Sequence, residues 1–189
     1  MRQEYLAIVN AGLTLQLDCP DLAATELIVQ GRTQRELHVE ALNEAVRDIP
    51  PERMRAHVCW GNSPGPHQTD VPLRELIGTI LKARPQALLL AAANPRHAHD
   101  WAVFEDVRLP AGKVLVPGVI DTCTNFIEDP QLVAERLVRY ARLVGADNLM
   151  AGTDCGFATV AGLHTVDPDI AWGKLNALVE GARLASEQL

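Results

Sequence analysis

The sequence predicts an α/β fold of the (β/α)-barrel kind built on five parallel strands, and three observations carry that prediction. Short, continuously apolar runs such as Ala87-Leu88-Leu89-Leu90 alternate with amphipathic segments at helical spacing, the pattern of a parallel sheet covered by helices. The conspicuous polar residues all stand directly after such runs: Asp18, His57 and Cys59, Asn94 and Arg96, Asp121 and Asn125, Asp154 and Cys155. A barrel or an open doubly wound sheet builds its site there. No Gly-x-Gly-x-x-Gly follows the first run, which disfavours a dinucleotide-binding sheet and leaves the barrel.

The elements follow in order. Tyr5-Leu6-Ala7-Ile8-Val9 reads as the end of a helix stopped at Gly12. Leu13-Thr14-Leu15-Gln16-Leu17 alternates as the first strand (13–18). Residues 33–47 place Leu37, Ala41, Leu42 and Ala45 on one helical face. The second strand spans 54–60, a helix 72–82 has Pro72 in its first turn, and the third strand spans 87–91. A short helix at 97–104 precedes the fourth strand at 114–119. Pro130 opens a helix reaching Val144 with Gly145 as its C-cap. The fifth strand, 148–152, and a last helix, 168–185, complete the order. No repeat, linker or low-complexity tract interrupts residues 1–189, which read as a single domain.

Composition bounds the function. The chain has 189 residues, 48% of them hydrophobic, enough for one substantial core. The net charge is −7, with arginines scattered among acidic residues, so there is no basic footprint for nucleic acid. No apolar run has the length a bilayer requires, and Met1-Arg2-Gln3-Glu4-Tyr5-Leu6 lacks the pattern of a signal peptide. Four cysteines without a dense framework indicate a reducing compartment. The expectation is a cytoplasmic protein with neither a nucleic-acid nor a membrane partner.

His57-Val58-Cys59 is the most informative motif. Positions two apart on a strand share a face, and Cys155 closes a later apolar run. One imidazole and two thiols at strand ends suit Zn2+, and three protein ligands leave a coordination position open, as in catalytic sites. The competing reading is three ordinary small core residues. Asp154 reads equally as an acceptor that orients a ligand or as a helix N-cap. Asn94 and Asn125 suit polar substrate contacts or turns. Trp60 and Trp101 suit a pocket wall or packing, and Cys19 and Cys123 read as packing residues at the barrel end. His67, His97, His99 and His164 lie in loops after strands, where an imidazole could donate a proton or simply face solvent.

Several strings together resemble, in order, the C-terminal catalytic domain of the cobalamin-independent methionine synthase family. They are Leu15-Gln16-Leu17-Asp18-Cys19-Pro20-Asp21-Leu22-Ala23, His57-Val58-Cys59-Trp60-Gly61-Asn62 with Gly65-Pro66-His67, Ala92-Ala93-Asn94-Pro95-Arg96-His97, Gly118-Val119-Ile120-Asp121, and Gly152-Thr153-Asp154-Cys155-Gly156-Phe157. In finer detail they resemble the branch containing epoxyalkane:coenzyme M transferase.

The resemblance implies a zinc-dependent thiol alkyltransferase, in which a zinc-bound thiolate of homocysteine or coenzyme M attacks a methyl or epoxide carbon. It implies metal ligands His57, Cys59 and Cys155 and a substrate contact from Asp18; the polar residues that follow the strands add Asn94 and Arg96 as substrate-contact candidates and His67 and Asp121 as the catalytic candidates. Asp18 matches an acid that contacts the homocysteine amino group, whereas Arg96 would suit a sulfonate or pair with Asp121 or Glu105. The implied partners are a small thiol and an alkyl donor. Three departures stand out. Ala91 replaces a family Glu ligand, which should weaken metal binding and leave a bound thiol more acidic but less nucleophilic. Cys123 replaces a family His. The strings also match only the last five strands of an eight-stranded barrel, so the expectation is a partial barrel that lacks the first strands. That arrangement fits a gene fragment, half of a split enzyme whose partner protein supplies the missing strands, or a catalytically inactive metal-binding remnant.

Overall fold

Four apolar runs of the sequence form strands, a short fifth strand follows them, and each strand pairs in parallel with the next. The computed structural model describes residues 1–23, 32–158, 161–162 and 165–189; His164 lies outside them. Helix α1 (Arg2–Asn10) leads into β1 (Leu15–Asp18). There follow α2 (Arg32–Ala45), β2 (Met54–Val58), α3 (Leu73–Ile80), β3 (Ala87–Leu90), α4 (Val103–Asp106), β4 (Val114–Ile120), α5 (Pro130–Val144), β5 (Gly152–Thr153) and α6 (Pro168–Ser186). The strands stand in the order β1-β2-β3-β4-β5 and curl into a half-barrel, the partial (β/α) barrel that the sequence predicts.

The register sorts the side chains. Asp18 pairs with His57, and His57 pairs with Leu89. Pleating alternates faces, so Leu15, Leu17, Met54, Ala56, Val58, Leu88 and Leu90 fall on one face. There they merge with Leu73, Leu76, Ile77 and Ile80 of α3 into the main core. The opposite, concave face carries Gln16, Asp18, Arg55, His57 and Leu89, and is polar and more open. A second core joins β4 to α5 and α6 through Val119, Ile120, Val133, Leu137 and Ala177.

Local chemistry sets the helix ends. The Asp129 carboxylate accepts the Gln131 N–H at 2.8 Å at the start of α5, and Gly145 ends that helix at φ 86°, a conformation that favours glycine. The last strand departs from expectation. Instead of spanning 148–152, the chain makes a 3-10 turn at Ala146–Asn148, a single bridge from Leu149 to Leu115, and then the two-residue β5. The Gly145-Ala146-Asp147-Asn148 turn takes up Asn148, the first residue of the expected strand. The helix expected at 97–104 is a 3-10 turn at Asp100–Ala102 followed by the single-turn α4. The Asn94 carbonyl accepts both the His97 and Ala98 N–H groups and so ends the first part in a turn. Among the described residues no helix is long and apolar enough to cross a membrane.

Candidate metal centre

Three donor side chains meet where β2 and β5 leave the sheet. His57 and Cys59 project from the end of β2, and Cys155 follows β5 directly. Their ligand atoms all lie within 4.8 Å of one another, the only such group of histidine, cysteine or carboxylate side chains among the described residues. The Cys59 and Cys155 sulfurs are 3.2 Å apart, and the Gly61 N–H donates to Cys59 Sγ at 3.2 Å. The three residues open on a cleft of about 440 Å3 that Asp18 and Asn62 also line.

Electrostatics tune the trio. The hydrogen bond from Cys155 pulls the Cys59 thiol down to about 5; burial opposes this, while His57 and the Gly61 N–H add to it. The same bond, reinforced by burial, pushes Cys155 up. The two sulfurs share one hydrogen bond. Burial would lower the His57 imidazole, but its bond to Cys59 and the nearby Asp18 and Asp154 carboxylates raise it above its ordinary value. Two cysteine sulfurs and an imidazole in mutual reach form an N/S donor set that fits tetrahedral zinc.

Asp154 anchors the Cys155 segment in a way neither sequence reading foresaw. It is 4% exposed and starts no helix. Its Oδ1 accepts the Ala92 and Ala93 N–H groups at 2.7 and 2.8 Å, and its Oδ2 accepts that of Asn94 at 2.8 Å. Burial pushes this carboxyl up to about 6 against the pull of those three N–H groups. A Cβ at Gly118 would stand 2.6 Å from the Asp154 Cα, so only glycine lets β4 and the Asp154 backbone come this close.

The remaining sequence candidates divide. Asp18 faces the cleft beside His57. Ala91, the residue after β3, is 8% exposed and packs with the main core. Asp121 uses Oδ1 to accept the Cys123 N–H and Oδ2 to accept the Thr124 hydroxyl; its carboxylate closes a turn. Asn94 likewise uses its side-chain oxygen on the Arg96 N–H. Arg96 is exposed and pairs with neither Asp121 nor Glu105 among the described residues.

His67 lies outside the cleft lining, at φ 50°. Its Nδ1 bonds Asp70 Oδ2 at 2.9 Å and its Nε2 bonds the Ser63 carbonyl at 3.0 Å. His97 bonds the same Asp70 oxygen at 2.9 Å and Asp100 at 3.0 Å, while Trp60 stacks on its ring at 4.1 Å. The Trp60 indole also donates to the Val71 carbonyl at 2.7 Å. Trp101 carries Arg139 over its ring at 4.9 Å, and Cys19 is buried in the main core. His99 is exposed. Asn125 joins the Thr165 carbonyl to the Asp167 N–H.

Sequence reasoning assigned no role to Asn62, which ties its own loop to two others at the site. The only local signal was its place three residues after Cys59.

The fold and this donor set define a class: a parallel (β/α) half-barrel with a metal-capable His/Cys/Cys group at its strand ends. Comparison with known proteins makes the class specific. The chain is 30% identical over 177 aligned positions to the 2-hydroxypropyl-CoM lyase of Xanthobacter autotrophicus, covering 80% of this chain and 45% of that protein. It is 27% identical over 197 positions to a methionine synthase of Saccharolobus islandicus, covering 100% of this chain and 49% of that one. Among solved structures, a B12-independent methionine synthase from Shewanella superposes with TM-score 0.69 at 21% identity over 99% of this chain and 52% of that chain. A second, described as a putative vitamin-B12-independent methionine synthase from Listeria monocytogenes, gives 0.63 at 21% over 100% and 52%. No family model matches the sequence. The chain is thus a homologue of cobalamin-independent methionine synthases and of 2-hydroxypropyl-CoM lyase. It spans about half the length of the curated relatives it matches.

Proposed function

We propose that this chain carries the zinc-binding half of a thiol alkyltransferase. The convergence of His57, Cys59 and Cys155 on an open cleft supports the reading most directly. When bound there, zinc would convert a substrate thiol to its thiolate at neutral pH and present it for attack on a methyl or epoxide carbon. The protein's own groups do the rest. Cys59 and Cys155 supply the anionic charge that balances a dication, and Asp18, beside His57, holds a substrate ammonium group such as that of homocysteine. Asp154 holds the Cys155 segment against the loop after β3, and His67 and Asp121 act by holding loops. A sulfonate thiol such as coenzyme M would instead draw on the exposed Arg96.

The polar concave face, with Gln16, Asp18 and Arg55, requires cover before the cleft excludes water. A protein or segment supplying further barrel strands would complete it and orient thiol and electrophile. The test is zinc analysis of the purified chain, followed by alkylation assays with homocysteine and coenzyme M in the presence of a polypeptide carrying the first barrel strands. Zinc binding with alkylation that Cys155→Ser abolishes supports the transferase. Zinc binding without alkylation of either thiol leaves the second reading, an inactive metal-binding remnant, which Ala91 favours. A chain that binds no zinc overturns both.

A further inference from the structure

One side chain that is neither a metal ligand nor a charged group links two of the loops around the site to a third. Asn62 sits on the loop after β2, and its Nδ2 donates to the Gly156 carbonyl at 2.9 Å, next to Cys155. Its Oδ1 accepts the Thr122 hydroxyl and the Cys123 thiol, both at 2.9 Å, on the loop after β4. The amide has only one workable orientation. Flipped, its oxygen would face the Gly156 carbonyl oxygen, acceptor against acceptor, at hydrogen-bond distance. One side chain therefore joins the loops that carry Cys59 and Cys155, and it occupies the thiol hydrogen of a third cysteine in the same neighbourhood.

We infer that Asn62 is the positioning residue of the metal centre, setting the separation of the Cys59 and Cys155 sulfurs and reserving the Cys123 thiol as a hydrogen-bond donor outside the ligand set. The inference rests on the zinc reading above. It explains why the metal-capable group contains only two of the chain's four cysteines. Cys19 is buried in the main core, whereas Cys123 hangs on the turn built by Asp121, with its sulfur turned to Asn62. With its sulfur held at Asn62, Cys123 stays outside the group of ligand atoms that lie within 4.8 Å of one another.

Cobalt(II) titration of the purified chain tests this, because sulfur-to-cobalt charge-transfer absorption grows with the number of thiolate ligands. The wild-type chain should show the two-thiolate band. Asn62→Ala should raise that band by about half as Cys123 joins the set, and adding Cys123→Ser should return it to the wild-type intensity. Asn62→Asp keeps both acceptor contacts but sets an anion against the Gly156 carbonyl. It should retain the two-thiolate band while zinc affinity falls ~10–100-fold, and it carries the test if Asn62→Ala does not fold. A wild-type chain with no cobalt band overturns the metal reading itself. A normal wild-type band with an unchanged band in Asn62→Ala, or unchanged zinc affinity in Asn62→Asp, overturns the role of Asn62 and leaves the metal reading standing.

Discussion

Two histidine-centred groups stand side by side in this molecule, and their hydrogen-bond accounting differs. In the His67–Asp70–His97–Asp100 group all four ring nitrogens already meet oxygen acceptors, and the side chains are 9, 3, 6 and 5% exposed. In the His57–Cys59–Cys155 group the donor atoms face one another across less than 4.8 Å and open on a cleft. The first is closed and has no capacity left for a ligand; it clamps the loop after β2 to the loop after β3 and steadies Trp60, the residue after Cys59. The second is bonded mainly within itself and still lines an open cleft that can admit a further group. Histidine beside anionic residues marks both, so satisfaction of the donors, not composition, separates a clasp from a site.

The largest effect expected from that contrast is on metal content. Cys59→Ser combined with Cys155→Ser should abolish zinc binding while leaving the urea-unfolding free energy within about 1 kcal/mol of the metal-free wild type. Zinc retained by the double variant, measured by elemental analysis, would remove the open site from the comparison. The clasp should behave in the opposite way. Asp70→Ala leaves two buried imidazoles without their shared acceptor and should cost about 3–5 kcal/mol in unfolding free energy, with zinc content per folded molecule retained. A loss below about 1 kcal/mol would show that the group is not a structural unit.

A smaller effect is expected at Ala91. Ala91→Glu restores a carboxylate where the family resemblance places a Glu ligand and should tighten zinc ~10–100-fold in a competition titration. No gain would mean that the Ala91 side chain does not reach the trio.

The smallest effect is in pH. Burial lowers the His97 imidazole, but its bonds to Asp100 and Asp70 raise it above its ordinary value of 6.5. Its stabilising contribution is therefore fully present below about pH 6.5 and is lost as pH rises through the elevated folded-state value. The groups facing the ring are Asp70, Asp100 and Trp60, with His67 on the shared Asp70 oxygen. The melting temperature of the wild type should exceed that of His97→Gln most in mildly acid solution, and the gap should narrow towards pH 9. A gap that widens with pH would reverse the assignment.

Much of the frame was legible before any coordinates. The alternating run at 13–18 and the continuously apolar runs after it located four strands within a few residues. Pro130 and Gly145 bounded α5, and the His-x-Cys spacing put two ligands on one strand face. Each of these depends on neighbours within one or two turns of chain, so residue order alone suffices. The misreadings share a cause too. The fifth strand and the helix at 97–104 were read from apolar content, but backbone hydrogen bonds at Gly145 and Asn94 turned the chain first.

Residue order by itself determined the parallel strands, the helix caps and the kinds of side chain presented at the strand ends. Tertiary structure alone decided which of those side chains meet. Cys59 and Cys155 are 96 positions apart in the chain and 3.2 Å apart at their sulfurs. Asp154 finds its three donors some sixty residues away, and Asn62 reaches two loops at a similar remove. Those meetings are set by strand register and by the paths of the loops between strands, and both emerge only when the sheet curls and packs.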